Sequence, residues 1–162
     1  YPLIDITAHV FGVDSEEWHL EIDKFEKLVD KISNISNKKT KTIISADHGL
    51  VNINKECRHH LSYGDDIQIY GDQRSVYING SKANVLETFS KVPGVLLEQH
   101  ELSHLLGKPT NEFLHSIYPD FCFLVEDKNI IYPKHLSAKL KGYHGGLSKE
   151  ELQIPIIELS NY

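Results

Sequence analysis

The stretch Thr42-Ile43-Ile44-Ser45-Ala46-Asp47-His48-Gly49-Leu50 decides the class of fold. Its first five residues are short and mostly apolar, with no strict alternation of polar positions, which suits a strand buried within an α/β sheet. The run stops abruptly at Asp47-His48-Gly49, where glycine lets the backbone bend and two ligand-type side chains can turn towards one point. Upstream, Trp18, Ile22, Phe25, Val29 and Ile32 recur at steps of four and three, with Leu28 and Ile35 widening the stripe. That spacing predicts an amphipathic helix packed on a sheet. Asp14 is its expected N-cap, with Glu17 three residues on in capping-box spacing. Tyr1 to Asp5 reads as the end of a strand, entering a loop that reaches Gly12. Helix and strand alternate at this end, and a strand over Ile154 to Leu159 closes the chain. The class is therefore α/β, with a central sheet expected to be mostly parallel.

Residues 50–141 read as a strand-rich excursion from that sheet. Strands are expected at Ile67 to Tyr70 and Ser75 to Asn79, joined through Gly71-Asp72-Gln73-Arg74. A helix over Ala83 to Phe89 and a strand over Gly94 to Glu98 follow. Two short helices, 100–106 and 111–116, are parted by Gly107-Lys108-Pro109. Phe121 to Val125 and Ile130 to Tyr132 are expected to pair across Glu126-Asp127-Lys128-Asn129. Ser148 and Glu151 form a second capping box that opens one helical turn. Pro155, with no N–H to give a ladder, belongs at the start or edge of the last strand.

Composition sets the bounds. The chain has 162 residues, 17 basic against 23 acidic, and ten histidines. That length suits one compact domain or a large piece of one. No apolar run approaches the roughly 20 residues of a membrane span, so no membrane partner is expected. The acidic balance argues against a nucleic-acid polymer as partner, since phosphate neutralisation needs clustered Lys and Arg. The one dense basic run, Lys38-Lys39-Thr40-Lys41, reads as a solvated turn. Two cysteines, Cys57 and Cys122, are too few for a disulfide scaffold, which points to a reducing, cytoplasmic setting. There is no methionine, and the chain starts at Tyr1 with no signal or transit segment. It therefore reads as the later part of something longer.

Three clusters could carry chemistry. Asp5 and His9 stand four residues apart just after the first expected strand, where ligands collect in open α/β sheets. Asp47 and His48 sit at the end of the buried strand. His144 lies among Gly142, Gly145 and Gly146. Each has a plain reading as well: surface polar groups, a turn-capping Asp, an exposed His in a glycine-rich turn. Taken together, Asp5, His9, Asp47, His48 and His144 make a mixed carboxylate–imidazole set that suits zinc or manganese, with too many ligands for one tetrahedral ion. Two adjacent divalent metal ions follow, an arrangement that stabilises attacking and leaving oxygens in phosphoryl transfer.

At this point the chain resembles the later part of the alkaline phosphatase superfamily, on its type I phosphodiesterase/nucleotide pyrophosphatase branch. Three passages carry the resemblance: Asp5-Ile6-Thr7-Ala8-His9-Val10-Phe11-Gly12 with the helix after it, Ile43 to Leu50, and Gly142-Tyr143-His144-Gly145-Gly146-Leu147-Ser148-Lys149-Glu150-Glu151-Leu152, continued by Ile154-Pro155-Ile156-Ile157. Their order and rough spacing agree over nearly the whole chain. The resemblance implies an alkaline-phosphatase-like central sheet, here partial, so that 1–162 is the later portion of a catalytic domain. It implies that Asp5, His9 and His144 hold one metal and that Asp47 and His48 hold part of the other. The Thr or Ser nucleophile and the remaining Asp ligand belong to the family's early half. The implied partners are a small phosphate ester or nucleotide and that missing portion of the same protein; the chain alone would be inactive. A sheet lacking strands would expose an edge, through which a second copy could pair.

One passage points elsewhere. His100-Glu101-Leu102-Ser103-His104 matches His-Glu-x-x-His, which on a helix sets two zinc ligands on one face with Glu101 as base. The longer metalloprotease signature fails at Thr110, where a third ligand is expected, and a Met-turn is impossible. A zinc protease is thus the third reading, behind the hydrolase and an inactive binding module of the same fold. Arg74 is expected to stabilise its turn, and Tyr63, Tyr70 and Tyr77 to pack at the core or edge. His59, His60 and His115 have no assigned role.

Overall fold

The computed structural model describes residues 1–35, 41–132 and 139–159. Residues 38–40 of the basic run lie outside the described residues. In chain order the elements begin with α1 (Leu3–Phe11), α2 (Glu16–Ile35), β1 (Thr42–Ser45) and β2 (Val51–Asn52). After a 3-10 turn at Lys55–Cys57 come β3 (Arg58–His60), β4 (Gln68–Gly71), β5 (Ser75–Asn79), α3 (Lys82–Phe89) and β6 (Gly94–Glu98). The last elements are α4 (Gln99–Leu105), α5 (Glu112–Ile117), β7 (Phe121–Val125), β8 (Ile130–Tyr132), β9 (Gly142–Tyr143), α6 (Lys149–Leu152) and β10 (Ile156–Leu159). They form two compact units, one of residues 1–52 with 139–162 and one of residues 53–138.

In the first unit, β1 pairs antiparallel with β10 and β2 antiparallel with β9. The mostly parallel sheet expected from the sequence is therefore not made by these strands with one another. Residues 1–5 are also not a strand end. Leu3 already begins α1, so Asp5 and His9 stand one turn apart on a helix, a spacing that places i and i+4 on one face. Gly12 ends this helix with its N–H on the Ala8 carbonyl. The cap of α2 is Ser15, not Asp14: Ser15 Oγ accepts the Trp18 N–H at 3.2 Å, while Asp14 turns through φ 64°. The apolar stripe of α2 is present, and the helix lies against α1, with Tyr1 and Phe25 rings 5.3 Å apart. No residue of α2 is fully buried.

The second unit holds the larger core. Strands β4-β5-β7-β6 form a wholly antiparallel sheet. On β5 the pleat alternates, so Val76 and Ile78 point inward to meet Val85 and Phe89 of α3 and Phe123 of β7. The rings of Phe89 and Phe123 stand 4.7 Å apart. The hairpin expected between β7 and β8 does not form. Both edges of β7 are taken by β5 and β6, and β8 instead pairs parallel with β3. Arg74 is 1% exposed and donates from Nη1 to the Asn129 carbonyl at 2.7 Å, a bond that holds the 126–129 connection and not the 71–74 turn in which it was expected to act. Tyr63 packs on the core, and Tyr70 leans on Tyr77.

Candidate metal centre

Helix α1 presents Asp5 and His9 towards the 142–146 loop. His9 Nδ1 lies 2.8 Å from the Gly142 carbonyl. A carbonyl only accepts, so Nδ1 must carry the proton and donate it. Nε2 is then left as the coordinating nitrogen, the arrangement that orients metal-binding histidines in general. A second tie joins the same strands of chain, from the Lys141 N–H to the His9 carbonyl at 2.7 Å. So close an approach needs glycine: a Cβ on Gly142 would stand 2.5 Å from the Ala8 carbonyl oxygen.

His9 Nε2 faces Asp5 Oδ1 at 3.4 Å. That oxygen is buried and accepts no hydrogen bond. With the His9 proton on Nδ1, a lone pair meets a carboxylate oxygen, which is unfavourable unless a proton or a cation lies between them. His144 brings a third ligand atom to the same place, all three lying within 4.8 Å of one another. Tetrahedral zinc with bonds of about 2.0–2.1 Å spaces its ligand atoms about 3.3 Å apart, close to the Asp5–His9 separation. The donor set of one carboxylate and two imidazoles fits a divalent transition metal.

The Asp47-His48-Gly49 turn follows β1. The His48 ring stacks on His144, with centroids 3.7 Å apart and planes inclined by 18°. Asp47 is almost fully exposed, with Oδ2 3.7 Å from His48 Nε2. Backbone hydrogen bonding at Asp47 itself, and then the neighbouring His48, hold its carboxyl below the usual range, so it is an anion at neutral pH. The structure thus gathers Asp5, His9 and His144 in one group and sets His48 against it. Among the described residues, Asp47 and His48 do not complete a second group of three.

Glycine 49 holds this turn against α6. Its N–H donates to the Glu151 carbonyl at 2.8 Å, and a Cβ there would fall 2.0 Å from the Glu150 carbonyl oxygen. Sequence reasoning found the Ser148/Glu151 capping box but not the reach of the Glu151 side chain. It is 3% exposed and accepts from the Gly146 N–H at 2.8 Å, beyond the box. The capping-box spacing of Ser148 and Glu151 just after Gly145-Gly146 was the local signal available, and it does not encode the bond to Gly146.

The His100–His104 motif does not build a comparable site. Both histidines are exposed on α4, and the Glu101 carboxylate accepts the Glu98 N–H at 2.9 Å as half of a capping box. No third ligand residue joins them among the described residues. His59 is occupied with Asn129 Oδ1 at 2.9 Å.

No family model and no curated protein sequence matches the chain. Solved structures do. An inactive threonine-to-alanine variant of murine ectonucleotide pyrophosphatase/phosphodiesterase 5, in complex with AMP, superposes with a TM-score of 0.70 at 16% identity, over 96% of this chain and 44% of that one. The human ectonucleotide pyrophosphatase/phosphodiesterase 5 gives 0.68 at 15% identity, with the same shares covered. The fold is alkaline-phosphatase-like. Phosphonoacetate hydrolase from Sinorhizobium meliloti 1021, in complex with phosphonoacetate, gives 0.71 at 12% identity, again over 96% and 44%. The chain spans less than half the length of each of these alkaline-phosphatase-like structures. At such identities the likeness establishes a shared fold, and the neighbours that share it are phosphodiesterase, pyrophosphatase and phosphonate hydrolases by name.

Proposed function

We propose that this chain supplies the metal bed of a phosphoric ester hydrolase of the phosphodiesterase/nucleotide pyrophosphatase type. The observation that carries the reading is the convergence of Asp5, His9 and His144 within 4.8 Å, in a chain with this fold. Those three residues would hold one divalent ion, zinc by preference and manganese as the other candidate. Asp47 and His48 would hold part of a second. A pair of such ions, when bound, activates an attacking hydroxyl and neutralises charge on the phosphoryl oxygens.

The chain's own residues do the positioning. Gly142 holds the His9 tautomer through its carbonyl, and the His48–His144 stack sets the two ligand groups side by side. Asp47 and Asp5 contribute the negative charge that balances the ions. The attacking Thr or Ser hydroxyl is assigned to none of these 162 residues and would come from the earlier half of the fold. The substrate class is a small phosphate ester or nucleotide.

The test is hydrolysis of bis-p-nitrophenyl phosphate with zinc present. A longer chain restoring the earlier half should turn over, and the 162-residue chain alone should not. His144→Ala in the longer chain should lower kcat at least about 100-fold, as expected for loss of a ligand to a catalytic metal. Turnover undiminished by His144→Ala would refute the reading, and so would absence of turnover in the longer chain with zinc bound.

A further inference from the structure

Glu151 is buried to 3% exposure, yet it lies outside the ligand group. A buried carboxylate is costly unless its oxygens are matched by donors. Here they are matched by the loop that carries His144. Oε1 accepts the Gly146 N–H at 2.8 Å; Oε2 accepts the Ser148 N–H at 3.2 Å and the Ser148 hydroxyl at 2.6 Å. The backbone of the same residue reaches the other ligand turn, its carbonyl accepting the Gly49 N–H at 2.8 Å.

One residue therefore fixes the chain two positions after His144 and one position after His48. We infer that Glu151 is a positioning residue, which locks the His144 loop in register with the Asp47-His48 turn and so preorganises the metal-binding group. The inference rests on the metal-bed reading above. Glycines at 145 and 146 leave this loop with large conformational freedom of its own, Gly145 standing at φ 98°. Without the carboxylate, the chain after His144 keeps the His48 stack and the Gly142 tie but loses its anchor at Gly146, so more of the loop's order would have to come with the ion, and affinity would fall by that entropy. The bond from Gly49 uses the Glu151 carbonyl and not its carboxylate, so a side-chain change acts directly on the His144 side.

Zinc titration calorimetry on the 162-residue chain tests this, each variant being measured well below its own zinc-free melting temperature. Glu151→Ala is expected to weaken zinc binding by about 10–100-fold, the range found when groups that orient metal ligands are removed. Glu151→Gln retains an oxygen for the Gly146 N–H and should lose less. Glu150→Gln, the exposed neighbour on the same helix, should bind as the wild type does. If Glu151→Ala does not fold, Glu151→Gln and Ser148→Ala carry the test, each expected to weaken binding several-fold. A purely structural role would lower the melting temperature and leave zinc affinity unchanged in the folded variants; that result overturns the inference alone. A wild-type chain that binds no zinc overturns the metal-bed reading, and the inference with it.

Discussion

Gly49 stands where a methyl group has no room, because its Cβ would fall 2.0 Å from a backbone oxygen of α6 that cannot move aside cheaply. Gly49→Ala should therefore destabilise the chain by about 1–3 kcal/mol, the usual cost of overpacking. Thermal denaturation against the wild type would read it. An unchanged melting temperature would mean that the turn is not held as described. The sequence shows why glycine follows Asp47-His48 only in outline: it marks a bend, while the backbone that excludes a side chain comes from about 100 residues further on. The same holds for Asp5, His9 and His144. Their ligand chemistry is legible in the residue types, but their nearness is not, since the Gly142 contact with α1 that brings His144 to the other two joins segments far apart in sequence. The Glu151 carboxylate was legible as a helix cap, because that pattern is local. Its second bond, to Gly146, depends on a loop conformation that no spacing encodes.

Strand pairing adds what single residues do not show. Tyr77 of β5 and Cys122 of β7 are direct partners in the ladder. Burial pushes the Cys122 thiol up to about 11, and burial, followed by the neighbouring thiol, raises the Tyr77 phenol. An unfolded chain ionises its cysteine near 9.0, whereas the folded one holds the proton to about 11. The stabilisation is therefore complete below about pH 9 and is lost as pH rises towards 11. Thermal melts at pH 8 and pH 10.5 should show a fall of several degrees, and Cys122→Ala should fall by less; equal falls would refute this account of the strand pair. Elements with their own local pattern were legible: β5, β6, β7 and β8 lie where alternation and turn residues put them. Helix α1 was not, because Tyr1 to Asp5 is too short and too apolar to separate a strand end from a first helical turn. Nor was the partner of β8. Sequence proximity favours a hairpin with β7, and competition for the edges of β7 by β5 and β6 decides otherwise.

At the scale of the whole chain, the α/β class and the alkaline-phosphatase-like fold were legible from three passages taken together, and the superposed structures share that fold over 96% of the chain. The parallel sheet was not, because β1 and β10 meet antiparallel here. No helix among the described residues is long and apolar enough to cross a membrane. The metal bed is the claim on which the functional account turns. Its most direct test is an anomalous-scattering map at the zinc edge from crystals soaked in zinc. The account predicts a peak bounded by Asp5, His9 and His144. A peak at His100 and His104 instead, or no peak at either place, would contradict it.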